Sequence, residues 1–237
     1  GYVFYNLDLF AMNAELKHHF ADEGMPLYLY NDTILDDVSY LFNKDVLFEY
    51  IPYQLASSLK QDYDEGASYN WAQYKTFSEE AALLHYERSP ISEEKGMGEE
   101  EKRLIDANVA LLVQMAKSHP ETEFYFFYPP YSLLWWDTVN RDGRTETFLY
   151  AAGRAAEALT GCGNVHLYSF LAEEDIVCDL NFYMDSMHFS ADINQWIVGQ
   201  LNGSEYLLTE ENYKEEMARL GALVERMTES DIKKYFP

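Results

Sequence analysis

The sequence predicts a three-layer α/β/α domain built on a mainly parallel sheet. Short, continuous apolar and aromatic runs at Tyr2–Leu7, Glu123–Tyr128 and Asn164–Phe170 have the character of strands covered on both faces. Helical patterns lie between the runs, and helix–strand alternation is the signature of parallel pairing through crossovers. The 237 residues, 48% of them apolar, suffice for one domain with a sizeable core. There is no internal repeat and no low-complexity linker, so residues 1–237 are read as a single domain.

Tyr2–Leu7 is expected to be a fully buried strand in the sheet interior. Residues 24–98 are the least regular part and are expected to be an elaborated insertion. Within it, Asn31-Asp32-Thr33 opens a helical stretch through Tyr40 and Leu41, and Val46–Leu59 forms another, interrupted by Pro52. Tyr63–Arg88 reads as an extended segment with helical pieces. A helix over Glu99–Lys117 begins with acids, stops before Pro120, and carries Leu104, Asn108, Leu111 and Met115 on one face.

The strand Glu123–Tyr128 ends at Pro129-Pro130, which cannot extend a hydrogen-bonded ladder. The Ala-rich stretch Thr145–Thr160 predicts a helix stopped by Gly161 as C-cap, and the next strand follows Gly161 and Gly163. Ser190 is placed to N-cap a helix carrying Ile193, Trp196, Ile197 and Leu201, closed by Gly203. Thr209 caps a last helix with Tyr213, Met217, Leu220, Val224 and Met227 as its apolar stripe.

Charge narrows the function classes. Forty-one acidic residues against 17 basic ones give a formal charge of -24, which opposes binding to nucleic acid or to an anionic membrane surface. Cys162 and Cys178 are too few for a disulfide scaffold and have no metal or redox spacing, and whether they pair is left open. No apolar run reaches the ~18 residues of a membrane span. The chain opens directly inside a strand and without Met, so it is expected to be a piece of a longer protein.

The segment Asn181-Phe182-Tyr183-Met184-Asp185-Ser186-Met187-His188-Phe189-Ser190 carries the chemistry. A turn of three residues folds an aspartate back onto an imidazole, so that Asp185 receives Nδ1–H and His188 offers Nε2 as a general base. The same spacing also suits a satisfied loop histidine ahead of a helix. Ser132, just after Pro129-Pro130-Tyr131, could reach the carboxyl edge of the sheet as a nucleophile or a substrate contact, but capping the helix of Leu133–Trp136 explains it fully and is the preferred reading. There is no Gly-x-Ser-x-Gly or Gly-Asp-Ser block, so the nucleophile is not evident.

His18, His19, His85, His119 and His166 show no metal-ligand spacing, and Asp32, Asp36 and Asp37 read as a capped, solvated helix start. Neither a metal nor a cofactor is expected. Tyr69, Trp71 and Tyr74 are the candidates for an exposed aromatic platform that would bind carbohydrate without catalysis.

The order of elements, with strands ending at Leu7-Asp8-Leu9-Phe10 and at Phe127-Tyr128-Pro129-Pro130-Tyr131-Ser132, then Asn164–Phe170, then Asp185–Ser190, resembles the carboxyl-terminal two thirds of an SGNH (GDSL-type) hydrolase. The resemblance implies a flavodoxin-like sheet whose first strands, with the nucleophilic serine and oxyanion glycine, lie upstream of Gly1. It implies that His188 is the base, Asp185 its orienting acid, and Asp8 a substrate-side residue, while Leu7 stands where the family places an asparagine. It further implies an esterase or O-acyltransferase acting on acyl esters, of small molecules, glycans or cell-wall polymers, in an extracytoplasmic or cell-surface setting. The alternatives are a carbohydrate-binding or scaffold module on a degenerate SGNH fold, and an unrelated α/β domain in which Asp185 merely caps a turn.

Overall fold

A computed structural model of the protein describes residues 1–15, 29, 32–60, 72 and 74–237. The chain divides into two compact units, Gly1–Glu15 with Lys75–Pro237, and Leu16–Tyr74. The region expected as one insertion over 24–98 is thereby split, its last part belonging with the sheet.

The larger unit is mixed α/β, built on a four-stranded, mostly parallel open sheet in the order β1-β2-β3-β4. β1 (Tyr2–Asn6), β2 (Glu123–Tyr128) and β3 (Val165–Ser169) run parallel, with Phe4, Tyr125 and His166 in register. β4 (Leu207–Leu208) pairs antiparallel to β3 and is too short to leave a sequence signal. The parallel pairing brings the carboxyl ends of β1, β2 and β3 to one edge of the sheet.

Its principal helices are α1 (Leu9–Met12), α2 (Glu99–Ser118), α3 (Leu133–Arg141), α4 (Thr145–Leu159), α5 (Ala191–Gln200) and α6 (Tyr213–Glu229). No helix among the described residues is long and apolar enough to cross a membrane.

β2 shows why the fold holds. Phe124, Phe126 and Tyr128 are buried on one face of it. α4 presents Ala151, Ala152, Ala155 and Ala156, all fully buried. Side chains that small let the helix approach closely enough for the Tyr128 hydroxyl to donate to the Ala152 carbonyl at 2.8 Å. Burial pushes the Tyr128 phenol far above its usual range, so it remains a donor. Between α3 and α4, Gly143 has φ +75°, and a Cβ there would collide with the Glu94 carbonyl oxygen, so only glycine fits.

Several expectations are corrected. β1 forms where predicted but lies at the edge of the sheet among the described residues, with Tyr2 73% and Phe4 62% exposed. A run that is apolar on both faces says that cover is wanted, not that these residues supply it. On α2 the buried stripe is Ile105, Val109 and Ala116, one position round from the predicted face. Asn108 sits beside that stripe because its amide donates to the carbonyls of Met12, Ala14 and Leu104. α4 ends at Thr160 in right-handed backbone, without a left-handed Gly161.

Ser190 precedes α5 as predicted, though its side chain makes no capping bond. Thr209 bonds the Glu211 and Asn212 amides, a turn before α6 begins. Cys162 and Cys178 are both free thiols.

In the smaller unit, a 3-10 turn Ile34–Asp37 leads into a helix Val38–Leu41, and Val46–Tyr50 forms a π-turn continuous with the helix Ile51–Lys60. Pro52 does not interrupt this helix: it directly follows the wide π-turn, in which Ile51 N–H already reaches back five residues to Val46 O and the regular i→i−4 ladder is relaxed. His18, His19, Asn31, Tyr69 and Trp71 lie outside the described residues. Tyr74 is exposed.

A polar tie that sequence reading missed locks α3. Buried Asp137 accepts from Arg88 Nε at 2.7 Å, Arg88 Nη2 at 3.1 Å and the Tyr86 hydroxyl at 2.7 Å. Removing the carboxylate strands a guanidinium and a phenol, so Asp137→Ala should destabilise folding by about 3 kcal/mol. Urea unfolding of variant and parent measures this.

Candidate functional site

The Asp185 carboxylate uses its two oxygens for different tasks. Oδ1 accepts the backbone N–H groups of Met187 at 2.8 Å and His188 at 2.7 Å, which closes the turn. Oδ2 lies 2.7 Å from His188 Nδ1. A carboxylate only accepts, so Nδ1 carries the proton and Nε2 carries the lone pair when the ring is neutral. The Asp185 side chain is 24% exposed and the imidazole 51% exposed, so the acid is sheltered while its base faces outward.

Burial alone would raise the Asp185 carboxyl. The His188 and Met187 amides and the imidazole outweigh it, and the carboxyl titrates below its ordinary range.

The turn is the tip of a small hairpin. Tyr183 and Phe189 bridge antiparallel, Met184 N–H donates to His188 O at 3.0 Å, and Ser190 N–H donates to Phe182 O at 2.9 Å. Two hydroxyls fasten it to the segment leaving β2. The buried Tyr183 hydroxyl donates to Pro130 O at 2.8 Å, and the Ser132 hydroxyl donates to Ser186 O at 2.5 Å. From the other side, Ser78 N–H donates to Tyr183 O at 3.1 Å. The dyad thus sits beside the carboxyl end of β2.

Asp8 follows β1 at the same edge and N-caps α1, its Oδ1 accepting from Phe10 N–H at 2.7 Å and Ala11 N–H at 3.2 Å. It is half-buried and lines a mostly apolar pocket of about 140 Å³ with Tyr5, Met12 and Leu112 among others. Asp8 is joined to the exit of β2 by way of Tyr131, whose hydroxyl accepts Leu9 N–H at 3.3 Å. Burial, then the charge of Asp8, drive the Tyr131 phenol well above its usual range. Leu7, where the resemblance places an asparagine, is buried and donates its N–H to Phe127 O at 2.8 Å.

The substrate contact expected of Ser132 is corrected. Its side chain is fully buried, and its hydroxyl also accepts Trp135 N–H at 3.3 Å as the cap of α3. Tyr183 was overlooked altogether, although a tyrosine inside the Asp-His block that becomes buried must find a partner. His166 pairs with Glu123 at 2.8 Å, and the described residues contain no cluster able to hold a metal.

The chain matches no family model, no curated protein and no solved structure.

The depressed Asp185 carboxyl has a consequence for stability. Its folded pKa lies below the unfolded value, so its contribution is complete above about pH 4 and is lost as pH falls through the folded-state value. Asp185→Asn removes the titrating group and leaves the other carboxylates in place. The parent should therefore exceed the variant by about 1 kcal/mol near neutral pH, with the gap closing at the acid end of a urea-unfolding series.

Proposed function

We propose that the Asp185–His188 pair is the acid–base half of an SGNH-type ester hydrolase or O-acyltransferase on a three-layer, flavodoxin-like sheet. That reading requires a nucleophilic serine in addition to the pair. The observation that carries this reading is the 2.7 Å Nδ1–Oδ2 contact on a carboxylate already held by two backbone amides. Such an acid fixes both the tautomer and the direction of the ring.

In the reaction, His188 Nε2 takes the serine proton as Oγ attacks the ester carbonyl. Asp185 stabilises the resulting imidazolium, and the same proton passes to the departing alkoxide as the C–O bond breaks. Water, or an acceptor hydroxyl deprotonated by the same nitrogen, then releases the acyl group from the serine. Acyl esters of carbohydrate or cell-wall polymer in an extracytoplasmic setting are the proposed substrates.

A segment carrying that serine would pair along β1. Gly1 O accepts from Glu123 N–H at 2.9 Å, and Leu7 N–H donates to Phe127 O at 2.8 Å. Odd-numbered backbone groups therefore face β2, and those of Tyr2, Phe4 and Asn6 face the outer edge. A strand added there in parallel would end beside Asp8, at the edge that carries the dyad.

The test is hydrolysis of p-nitrophenyl acetate by the protein extended upstream of Gly1. His188→Ala should lower kcat by about 10³–10⁴-fold, as should Asp185→Ala. An active extended protein whose rate survives His188→Ala overturns the proposal.

A further inference from the structure

The structure assigns Ser132 as the positioning residue of the Asp185–His188 pair: it holds in place the peptide unit through which the carboxylate is gripped. This deepens the proposed esterase reading and rests on it for its catalytic meaning, while its geometry stands independently.

The Ser186 carbonyl and the Met187 N–H belong to one planar peptide. The carbonyl receives the Ser132 hydroxyl at 2.5 Å, and the N–H is given to Asp185 Oδ1 at 2.8 Å. In a trans peptide the two bonds point in opposite directions, so pulling the carbonyl toward Ser132 aims the N–H at Asp185. The plane cannot rotate without breaking both contacts. The carboxylate so held is the one that faces His188 Nδ1 at 2.7 Å.

Ser132 suits this task because one atom works in both directions. Its oxygen accepts from Trp135 N–H at 3.3 Å while its proton goes to Ser186 O, and the contact to the turn is the shorter. A cap alone would need only the lone pair, which aspartate or asparagine provides as well. The residue is fully buried, so water does not compete for the proton. Its fixed base is α3, whose Leu133, Leu134 and Trp136 are buried in the core. The Tyr183–Pro130 bond restrains the start of the same hairpin and leaves the orientation of the 186–187 peptide to Ser132.

Groups facing Asp185 limit what else could govern its titration. They are the Met187 and His188 amides and the His188 ring. Two of the three follow the peptide geometry of the turn, so loosening the Ser186 carbonyl should release the carboxyl toward its ordinary range.

The experiment uses the 237-residue chain and needs no activity. Amide hydrogen exchange is followed at Met187, His188 and Trp135, and the Asp185 carboxyl is titrated by its ¹³C shift, in the parent and in Ser132→Ala. A positioning role predicts exchange at Met187 about tenfold faster in the variant, with the Asp185 midpoint shifted upward. Faster exchange at Trp135 alone, with Met187 and Asp185 unchanged, reduces Ser132 to a helix cap and overturns the assignment.

Should Ser132→Ala not fold, the parent decides: slow exchange at Met187 supports the anchored peptide, and exchange at the rate of an open loop overturns it. Intact coupling in a protein whose extended form cleaves no ester refutes the esterase reading alone. Esterase activity with no coupling refutes only the role of Ser132.

Discussion

The inability of proline to donate a backbone hydrogen bond organises the carboxyl edge of this sheet. At Pro129 and Pro130 the β2 ladder has no N–H groups to continue with, and the chain turns out of the sheet. Carbonyls and side chains at the turn then take partners from elsewhere. Tyr128 O receives Phe170 N–H from the end of β3, and Pro130 O receives the Tyr183 hydroxyl. Tyr131 meets α1 at Leu9, and Ser132 meets the hairpin that carries Asp185 and His188. Four of the five consecutive residues Tyr128–Ser132 thus bind three separate parts of the chain, and the site inherits its rigidity from a strand end at the centre of the core.

Two kinds of carboxylate serve the fold. Asp137 is buried and committed to Arg88 and Tyr86, a tie between distant segments whose geometry fixes α3. Asp185 is sheltered yet near solvent, with one oxygen spent on local backbone and the other on a ring. The first is a structural clamp. The second combines clamping with charge, the combination that lets a neighbouring imidazole accept a proton and be stabilised when it does.

What could be read from the sequence was what local physics determines. β2 and β3 were legible because aromatic and β-branched runs stand between prolines and glycines, and the Asp-His contact was legible because three residues of turn suffice to make it. The surroundings of β1 were not, since Tyr2, Phe4 and Tyr5 carry the same apolar signal at an edge as in an interior. The face of α2 was misjudged through Asn108, whose amide serves backbone carbonyls some 90 residues away in sequence. Ser132 showed its capping role but not its bond to Ser186, 54 positions later, because no periodicity encodes such a pairing.

The outer edge of β1 also bears on colloidal behaviour. Tyr2–Asn6 contains neither lysine nor proline, the residues that commonly keep exposed strands from pairing with one another, and its outward amides form a ready template for strand addition. Mutual repulsion between copies, each of formal charge -24, is the opposing force, and it weakens once salt shortens the screening length to about 8 Å. Ionic strength therefore sets how readily this edge, wherever no other segment covers it, pairs with its like in solution.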